Sequence, residues 1–151
     1  MMASLLLSLS LLGAPAFATT EASLQQEYQT FLQGKGYTTT VDSDGDIRFQ
    51  HTHNQYTLNL FVETNEQDPT FFRMAVYNIW PIESAAERVK VLEACNVVND
   101  ALKVVKMYVT NDNVWIAIEL YSPNVTDYRA IFDRSMRTID DAVDRFVAAM
   151  K

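Results

Sequence analysis

The chain has 151 residues, of which 12 are Lys or Arg and 19 are Asp or Glu, so its formal net charge is −7. This length predicts one domain, and the acidic balance argues against nucleic acid or anionic lipid surfaces as partners, because their phosphates would be repelled. A single cysteine, Cys95, excludes an internal disulfide and falls at an apolar helix position typical of a small buried hydrophobic residue.

The first 18 residues differ in kind from the rest. Residues 5–12 form an apolar run broken only by serine, and Ala16-Phe17-Ala18 places small residues where a signal peptidase needs them. The run is shorter than the roughly 20 residues that span a bilayer. We therefore expect residues 1–18 to be a signal peptide cleaved near Ala18, and residues 19–151 to form one periplasmic or secreted domain without a membrane span. The alternative is an ordinary buried N-terminal helix.

The first part of this domain predicts one helix and four strands. Residues 19–34 repeat apolar side chains on one face of a 3.6-residue period, namely Leu24, Tyr28, Phe31 and Leu32. Thr20 is a plausible N-cap. The predicted strands cover residues 37–42, 47–53, 56–63 and 71–80. Asp44-Gly45 between the first two predicts a hairpin with a type I′ turn, which needs positive φ at both central positions.

The second part predicts a helix, two strands and a last helix. Ser84 and Glu87 fit a capping box, and we expect this helix to end near Val105. Its apolar stripe is Val91, Cys95, Val98, Leu102 and Val105, with Leu92 and Ala101 beside it. Strands follow at 106–110 and 114–121. Asn124 can cap the last helix with Asp127 at its N3 position, and apolar spacing continues to Met150.

The predicted order is therefore α-β-β-β-β-α-β-β-α, with short turns that imply an antiparallel sheet. Grouped rather than alternating helices and strands indicate an α+β fold in which three helices pack on the sheet. Three rows of alternating apolar residues would face these helices: Leu58, Leu60 and Val62; Phe72, Met74 and Val76; and Val114, Ile116, Ile118 and Leu120.

The run Cys95-Asn-Val-Val-Asn99, followed by residues 106–110, a turn and residues 114–120, resembles the YbjN-like family. Gly36-Tyr37, the hairpin at residues 44–47 and Tyr56 also suit that pattern, and the similarity covers about residues 21 to 150. Members are labelled bacterial sensory-transduction regulators, with a fold similar to that of type III secretion chaperones. The resemblance implies helices on an antiparallel sheet and no enzymatic activity. It implies no particular ligand.

If the three rows face the helices, a mixed aromatic and charged set points the other way: Phe61, Phe71, Arg73, Tyr77, Trp115, Glu119 and Tyr121. Large aromatic side chains and Arg are typical of protein interfaces. We predict a protein or peptide partner, a second copy of the chain included, bound through Phe61, Arg73, Tyr77, Trp115 and Tyr121. The alternatives are that the first helix covers this face, or that it forms a small-molecule site.

Asn96 and Asn99 share one side of the second helix, being three residues apart. They could bind the backbone of a partner, or a strand edge or loop of the same domain. We favour the second interpretation, because an Asn on a packed helix needs internal hydrogen-bond partners if it is buried.

Two motifs raise the question of a metal. Asp42-Ser-Asp-Gly-Asp46 offers alternating oxygen ligands, but an EF-hand loop needs Gly at its sixth position and Glu at its twelfth, so the hairpin explains the motif better. His51 and His53 would share one strand face as half of a zinc site, but no third ligand is evident and exposed strand histidines are the simpler interpretation. We predict neither a metal nor another cofactor.

The sequence also offers no nucleophile beside a base and no paired carboxylates facing one point, so we predict no enzyme. Our main hypothesis is an exported, non-enzymatic module that binds protein or peptide, or acts as a chaperone-like regulator, through the aromatic face or a strand edge. The alternative is a periplasmic sensor domain that binds a small ligand or metal in a pocket between sheet and helices.

Overall fold

A computed structural model describes residues 19–151, and the predicted signal peptide lies outside these residues. The elements follow the predicted order and confirm the α+β class. They are α1 (Glu21–Gly34), β1 (Thr39–Val41), β2 (Ile47–His53), β3 (Tyr56–Val62), β4 (Phe71–Pro81), α2 (Ala85–Ala101), β5 (Val105–Thr110), β6 (Asn113–Tyr121) and α3 (Tyr128–Met150). Among the described helices, none combines the length and the apolar character that a bilayer span requires.

The six strands form one antiparallel sheet in the order β1-β2-β3-β4-β6-β5. β4 and β6 pair with each other although α2 and β5 separate them in the chain. Their register places Met74 opposite Ile118 and Arg73 opposite Glu119. Since successive strand residues point to opposite faces, this register sends the first pair to one face of the sheet and the second pair to the other.

The helices pack on the face that carries the apolar rows. The ring of Tyr28 in α1 lies 6.4 Å from that of Phe72 in β4 and 4.7 Å from that of Tyr128 in α3. Trp80 of β4 meets Phe146 of α3 at 5.8 Å. The predicted rows are buried beneath these helices, apart from the partly buried Leu120. The core therefore lies between the helices and one face of the sheet.

Capping residues define where the first two helices begin. At the start of α1 the Thr20 hydroxyl accepts from the Ser23 N–H, and the Ser23 hydroxyl accepts from the Thr20 N–H, so the two residues form a reciprocal cap. At α2 the Ser84 hydroxyl accepts from the Glu87 N–H (3.1 Å) as predicted. The Glu87 carboxylate, however, accepts from the Glu83 N–H and from the indole of Trp80, so only half of the predicted capping box forms.

The predicted end of α2 near Val105 is wrong, because the helix ends at Ala101. Leu102 is extended, Val104 has φ +62°, and Val105 enters the core from β5. Val105 therefore keeps the sequence spacing of the helix's apolar stripe although it already belongs to a strand. The predicted flanks Leu92 and Ala101 are exposed, because α2 packs through a narrower stripe of Val91, Ala94, Cys95 and Val98.

The first hairpin also departs from the prediction. Only Gly45 has positive φ (+90°) there, so the turn is not type I′. Instead, the Asp42 carboxylate accepts from the backbone N–H groups of Asp44 (2.9 Å) and Asp46 (3.0 Å), which stabilises a different loop. Positive φ at two successive central positions is found at Asn111-Asp112, between β5 and β6.

α3 begins one turn later than predicted, at Tyr128. The roles of the two capping residues are reversed: the Asp127 carboxylate accepts from the Asn124 N–H (3.2 Å) and from the Ser122 hydroxyl (3.0 Å). Asp127 therefore closes the preceding turn instead of serving as the third residue of the helix.

Candidate functional site

The face of the sheet opposite the helices is not covered by any described element. We call it the open face and define it by Phe61, Phe71, Arg73, Tyr77, Tyr108, Trp115, Glu119 and Tyr121, most of them partly exposed. Because α1 packs on the other face against Phe72 and Tyr128, the alternative in which the first helix covers the aromatic side chains is wrong. The predicted surface residues all lie on this face.

Four rings cross the open face at right angles to the strands. Phe61 of β3 lies 4.8 Å from Tyr77 of β4, Tyr77 lies 4.4 Å from Trp115 of β6, and Trp115 lies 6.1 Å from Tyr108 of β5, all between ring centroids. We call these four the aromatic row. Its order follows the order of the strands in the sheet, and its rings are tilted against each other by 33° to 55°.

Arg73 holds this row in place. Its Nε donates to Glu119 (3.1 Å), and its two terminal nitrogens donate to the hydroxyls of Tyr77 (3.2 Å) and Tyr108 (2.9 Å). The guanidinium also forms an ion pair with Glu63. Arg73 thus uses most of its donors inside the domain. It orients the aromatic side chains rather than offering its hydrogen bonds to a partner.

Two small residues lie beneath these large side chains. Ala75 and Ala117 are opposite each other on β4 and β6, and both are fully buried although no described helix covers them. The neighbouring rings and the Arg73 stem therefore pack over them. The open face has its own small packed layer, so its side chains have fixed positions before any partner binds.

A bulge in β4 adjusts the position of Trp115. The register between β4 and β6 shifts between Val76 and Trp80, and Asn78 within this segment has φ +56°. The Asn78 side-chain oxygen accepts from the Trp115 indole N–H (3.1 Å). A bulge of this kind re-aims side chains, and here it is the Asn78 side chain that is brought to Trp115.

Burial favours the protonated phenol of Tyr77. Burial raises the pKa of Tyr77, while the nearby Arg73 acts in the opposite direction. The hydroxyl remains a donor at neutral pH and reaches Glu63 at 3.2 Å. Arg73, Glu63 and Tyr77 therefore form one connected network.

Charged groups and one exposed ring surround the row. Arg48 lies over the Phe61 ring at 5.9 Å, and Lys106 pairs with Glu119. Tyr121 is 75% exposed, and its ring lies 5.3 Å from that of Phe71 on the neighbouring strand. An apolar centre with a charged rim is the usual anatomy of a protein interface.

Asn96 and Asn99 do not belong to the open face. Asn99 bonds within the domain, the interpretation favoured from the sequence: its side chain makes two hydrogen bonds with the backbone of Met107 in β5, both of 2.8 Å. Asn96 lies exposed on the surface of α2. Both residues are exposed, and what distinguishes Asn99 is its pair of hydrogen bonds to β5.

The histidines are partly buried, so the expectation of exposed strand histidines is wrong. His51 bonds to Asp140 (3.0 Å) and His53 to Asp144 (3.0 Å), one turn apart on α3. These pairs tie the β2–β3 hairpin to the last helix. Within residues 19–151, the His, Cys, Asp and Glu side chains form no group of three or more placed to hold a metal ion.

The carboxylates of the acidic hairpin accept hydrogen bonds from backbone N–H groups. The Asp42 carboxylate accepts from two loop N–H groups, and that of Asp46 accepts from the Thr64 N–H at 3.0 Å. Burial raises the pKa of Asp46, whereas the Thr64 bond opposes that rise. These bonds explain the acidic motif as a hairpin.

Three residues that belong to the open face or bond to it were missing from the sequence prediction. Tyr108 could have been found, because it alternates with the inward Met107 along β5. Glu63 alternates with Val62 and was the last residue of the predicted strand, so it too could have been found. Asn78 reaches Trp115 only through the bulge, for which the sequence carries no signal.

The described residues define a class of protein: an α+β domain whose helices cover one side of an antiparallel sheet and whose other side is an uncovered aromatic surface. The chain belongs to the YbjN family, described as "putative bacterial sensory transduction regulator", whose model matches residues 27–151. This description is regulatory and not that of an enzyme family. No curated protein matches the chain, and neither does any solved structure. The likeness to type III secretion chaperones therefore stays a prediction.

Proposed function

We propose that this chain is a non-enzymatic, exported binding module of the YbjN family, whose open face binds a protein or peptide segment. One observation carries the proposal: Arg73 fixes the aromatic row in place, yet no described element covers it. The four rings are only partly buried, and a contiguous aromatic patch that remains accessible on a domain surface is typical of an interaction site.

Fixed rings favour binding for a physical reason. Association costs free energy for every side chain that must be ordered, about 0.5–1.5 kcal/mol each. Tyr77 and Tyr108 are already held by Arg73, and Trp115 by Asn78. The open face therefore offers a large contact area at a small entropic cost.

The chemistry of the row indicates what kind of segment it takes. Its centre is aromatic, and Arg73 and Glu119 already neutralise each other beside it. A partner segment with apolar side chains at its centre and few charges fits this surface best. A second copy of the chain meets that description, so a homodimer through the open face is one form of the proposal.

The sequence of residues 1–18 supports export, and the regulatory description of the family supports a binding role without chemistry. Export is tested by expressing the full chain in a bacterium and fractionating the cells. We expect the protein in the periplasmic fraction with an N-terminus at Thr19 by mass spectrometry. An unprocessed cytoplasmic protein would contradict this part of the proposal.

Binding is tested with a displayed library of random dodecapeptides selected against the purified protein. Enriched peptides are synthesised and titrated calorimetrically. We expect Trp115→Ala to weaken their binding at least tenfold while its circular dichroism stays native. The control is Leu92→Ala, an exposed apolar residue of α2 on the other side of the sheet, which should bind like the wild type.

Self-association is tested by light scattering during size-exclusion chromatography. A wild-type dimer that Trp115→Ala converts to a folded monomer identifies the second copy as the partner. A wild-type monomer that enriches no peptide, together with a Trp115→Ala variant that unfolds, would show that the row serves stability and would contradict the proposal.

A further inference from the structure

A cavity of about 520 Å³ lies on the helix side of the sheet, away from the open face. It is a cleft open to solvent on one side, and it is lined by the end of α2, the connection from α2 to β5, strand β6 and helix α3. Ligand pockets generally have volumes of roughly 300–1,000 Å³, so this one has room for a small organic molecule.

The wall of the cavity is apolar. Ile118 is fully buried at its base, while Leu102, Leu120 and Ile131 are partly buried along its sides. The hydroxyls of Ser135 and Thr138 are the neutral polar side chains that line it. Such a wall suits a hydrocarbon chain, whose burial is favourable in proportion to the apolar area removed from water.

The mouth of the cavity is basic. Lys103 and Arg134 both line it, no Asp or Glu does, and both cations are exposed. Within residues 19–151, neither forms an ion pair, whereas several other cations of this chain do. Two uncompensated cations are notable in a chain of net charge −7 and favour an anionic ligand.

The backbone at the mouth is strained. Val104 has φ +62°, a conformation that β-branched residues very rarely adopt, and its side chain is 63% exposed. Gly or Asn would take this conformation at lower cost. An exposed apolar side chain on a strained backbone contributes nothing to the core, and such strain is concentrated at ligand sites.

We propose that this cavity binds a single-chain anionic amphiphile of the long-chain carboxylate class. Its hydrocarbon chain lies among Leu102, Leu120 and Ile131, and its carboxylate faces Lys103 and Arg134. Arg matches a carboxylate with two parallel hydrogen bonds. Val104 closes the mouth over the first carbons of the chain.

The test is calorimetric titration of the purified protein with dodecanoate below its micellar concentration. We expect saturable binding with one site per chain. The neutral analogue dodecanol should bind at least tenfold more weakly, and butyrate, which lacks the long chain, should give no measurable heat. A wild-type protein that binds no dodecanoate would overturn the proposal.

The variant Lys103→Gln/Arg134→Gln should weaken dodecanoate binding at least tenfold. Its matched control, Lys90→Gln/Arg137→Gln, removes the same charge from residues that do not line the cavity and should bind like the wild type. Equal losses in both double variants would show non-specific attraction of an anion and overturn the proposal. Since all four cations are exposed, both variants are expected to fold.

Two further measurements distinguish binding in the cavity from binding at a membrane surface or at the open face. In sedimentation, the protein should associate with anionic phospholipid vesicles no more than with neutral ones. A protein that binds the anionic vesicles but not monomeric dodecanoate would show that the basic residues bind a membrane surface, and would overturn the proposed cavity site. Trp115→Ala should keep wild-type affinity for dodecanoate, because the cavity and the open face use different sides of the sheet. Failure of one proposal therefore leaves the other intact.

Discussion

Asn99 of α2 pairs with Met107 of β5 as a neighbouring strand would. Its amide donates to the Met107 carbonyl and its oxygen accepts from the Met107 N–H, both at 2.8 Å. β5 is an outer strand of the sheet, and such strands expose backbone groups that invite pairing with another chain. Asn99 bonds to the middle of this edge, so strand addition there is disfavoured. The open face is therefore the better binding surface.

The first prediction concerns this edge. Asn99→Ala should lower the free energy of unfolding by about 1–2 kcal/mol, because two backbone groups lose their partners. It should also increase self-association at high protein concentration through the freed strand edge. Urea denaturation and light scattering check both effects. Asn96→Ala is the control, and an equal loss of stability there would contradict the role assigned to Asn99.

A second prediction concerns Arg73. Arg73→Met should destabilise the domain by about 2–3 kcal/mol, because Glu63 and Glu119 then face each other without their shared cation. Tyr77 and Tyr108 lose their common donor, so the fluorescence anisotropy of Trp115, measured in a Trp80→Phe background, should fall as the row loosens. Arg48→Met, at the exposed rim, should change stability by less than about 1 kcal/mol. Similar losses in the two variants would contradict the network described.

A third prediction compares two glycines. Gly45→Ala should cost about 1–2 kcal/mol, because φ is +90° there and the added methyl group would meet the Glu21 carboxylate. Gly34→Ala, at the end of α1 with open space around it, should stabilise the domain by up to about 1 kcal/mol. Thermal unfolding of both variants measures the difference, and the same sign for both would refute the assignment.

A fourth prediction concerns the single thiol. Burial raises the pKa of Cys95 to about 11. Because the folded value lies above the unfolded one, the group contributes stability that is fully present below about pH 9 and is lost as the pH rises toward 11. Unfolding free energies measured from pH 8 to 11 should fall less steeply for Cys95→Ala, by about 1–2 kcal/mol over this range.

The same burial protects Cys95 from thiol reagents. At pH 8 its labelling by a maleimide should be slow in buffer and should rise with the unfolded fraction in urea, since the reactive thiolate forms only when the side chain is exposed. Rapid labelling of the native protein would place Cys95 at the surface.

How much of the fold could be predicted depended on whether the signal was local. β2 was predicted with its observed bounds, because alternating apolar residues lie between two polar turns. The end of α2 was missed, since Leu102 and Val105 keep a helical spacing while the chain already leaves the helix. The helix already ends where Leu102 turns extended, and the positive φ of Val104 that follows is a conformation that valine rarely adopts.

The candidate site divides in the same way. Alternation along β4 and β6 was enough to send Arg73, Tyr77 and Trp115 to the face opposite the helices. It could not show that Arg73 donates to Tyr108 or that His51 bonds to Asp140, because those partners are distant in sequence and their contacts depend on tertiary packing. The cavity beside Val104 also arises from tertiary packing, so no sequence pattern predicts it.

The pairing of β4 with β6 has a consequence for folding. β1 to β4 join through nearby turns, and so do β5 and β6, whereas Phe71 reaches Tyr121 only across α2 and β5. Closing that long loop costs conformational entropy before its contacts form, so we expect this pairing to be the slow step of folding. During synthesis, the edge of β4 that pairs with β6 therefore stays unpaired until β6 has been made.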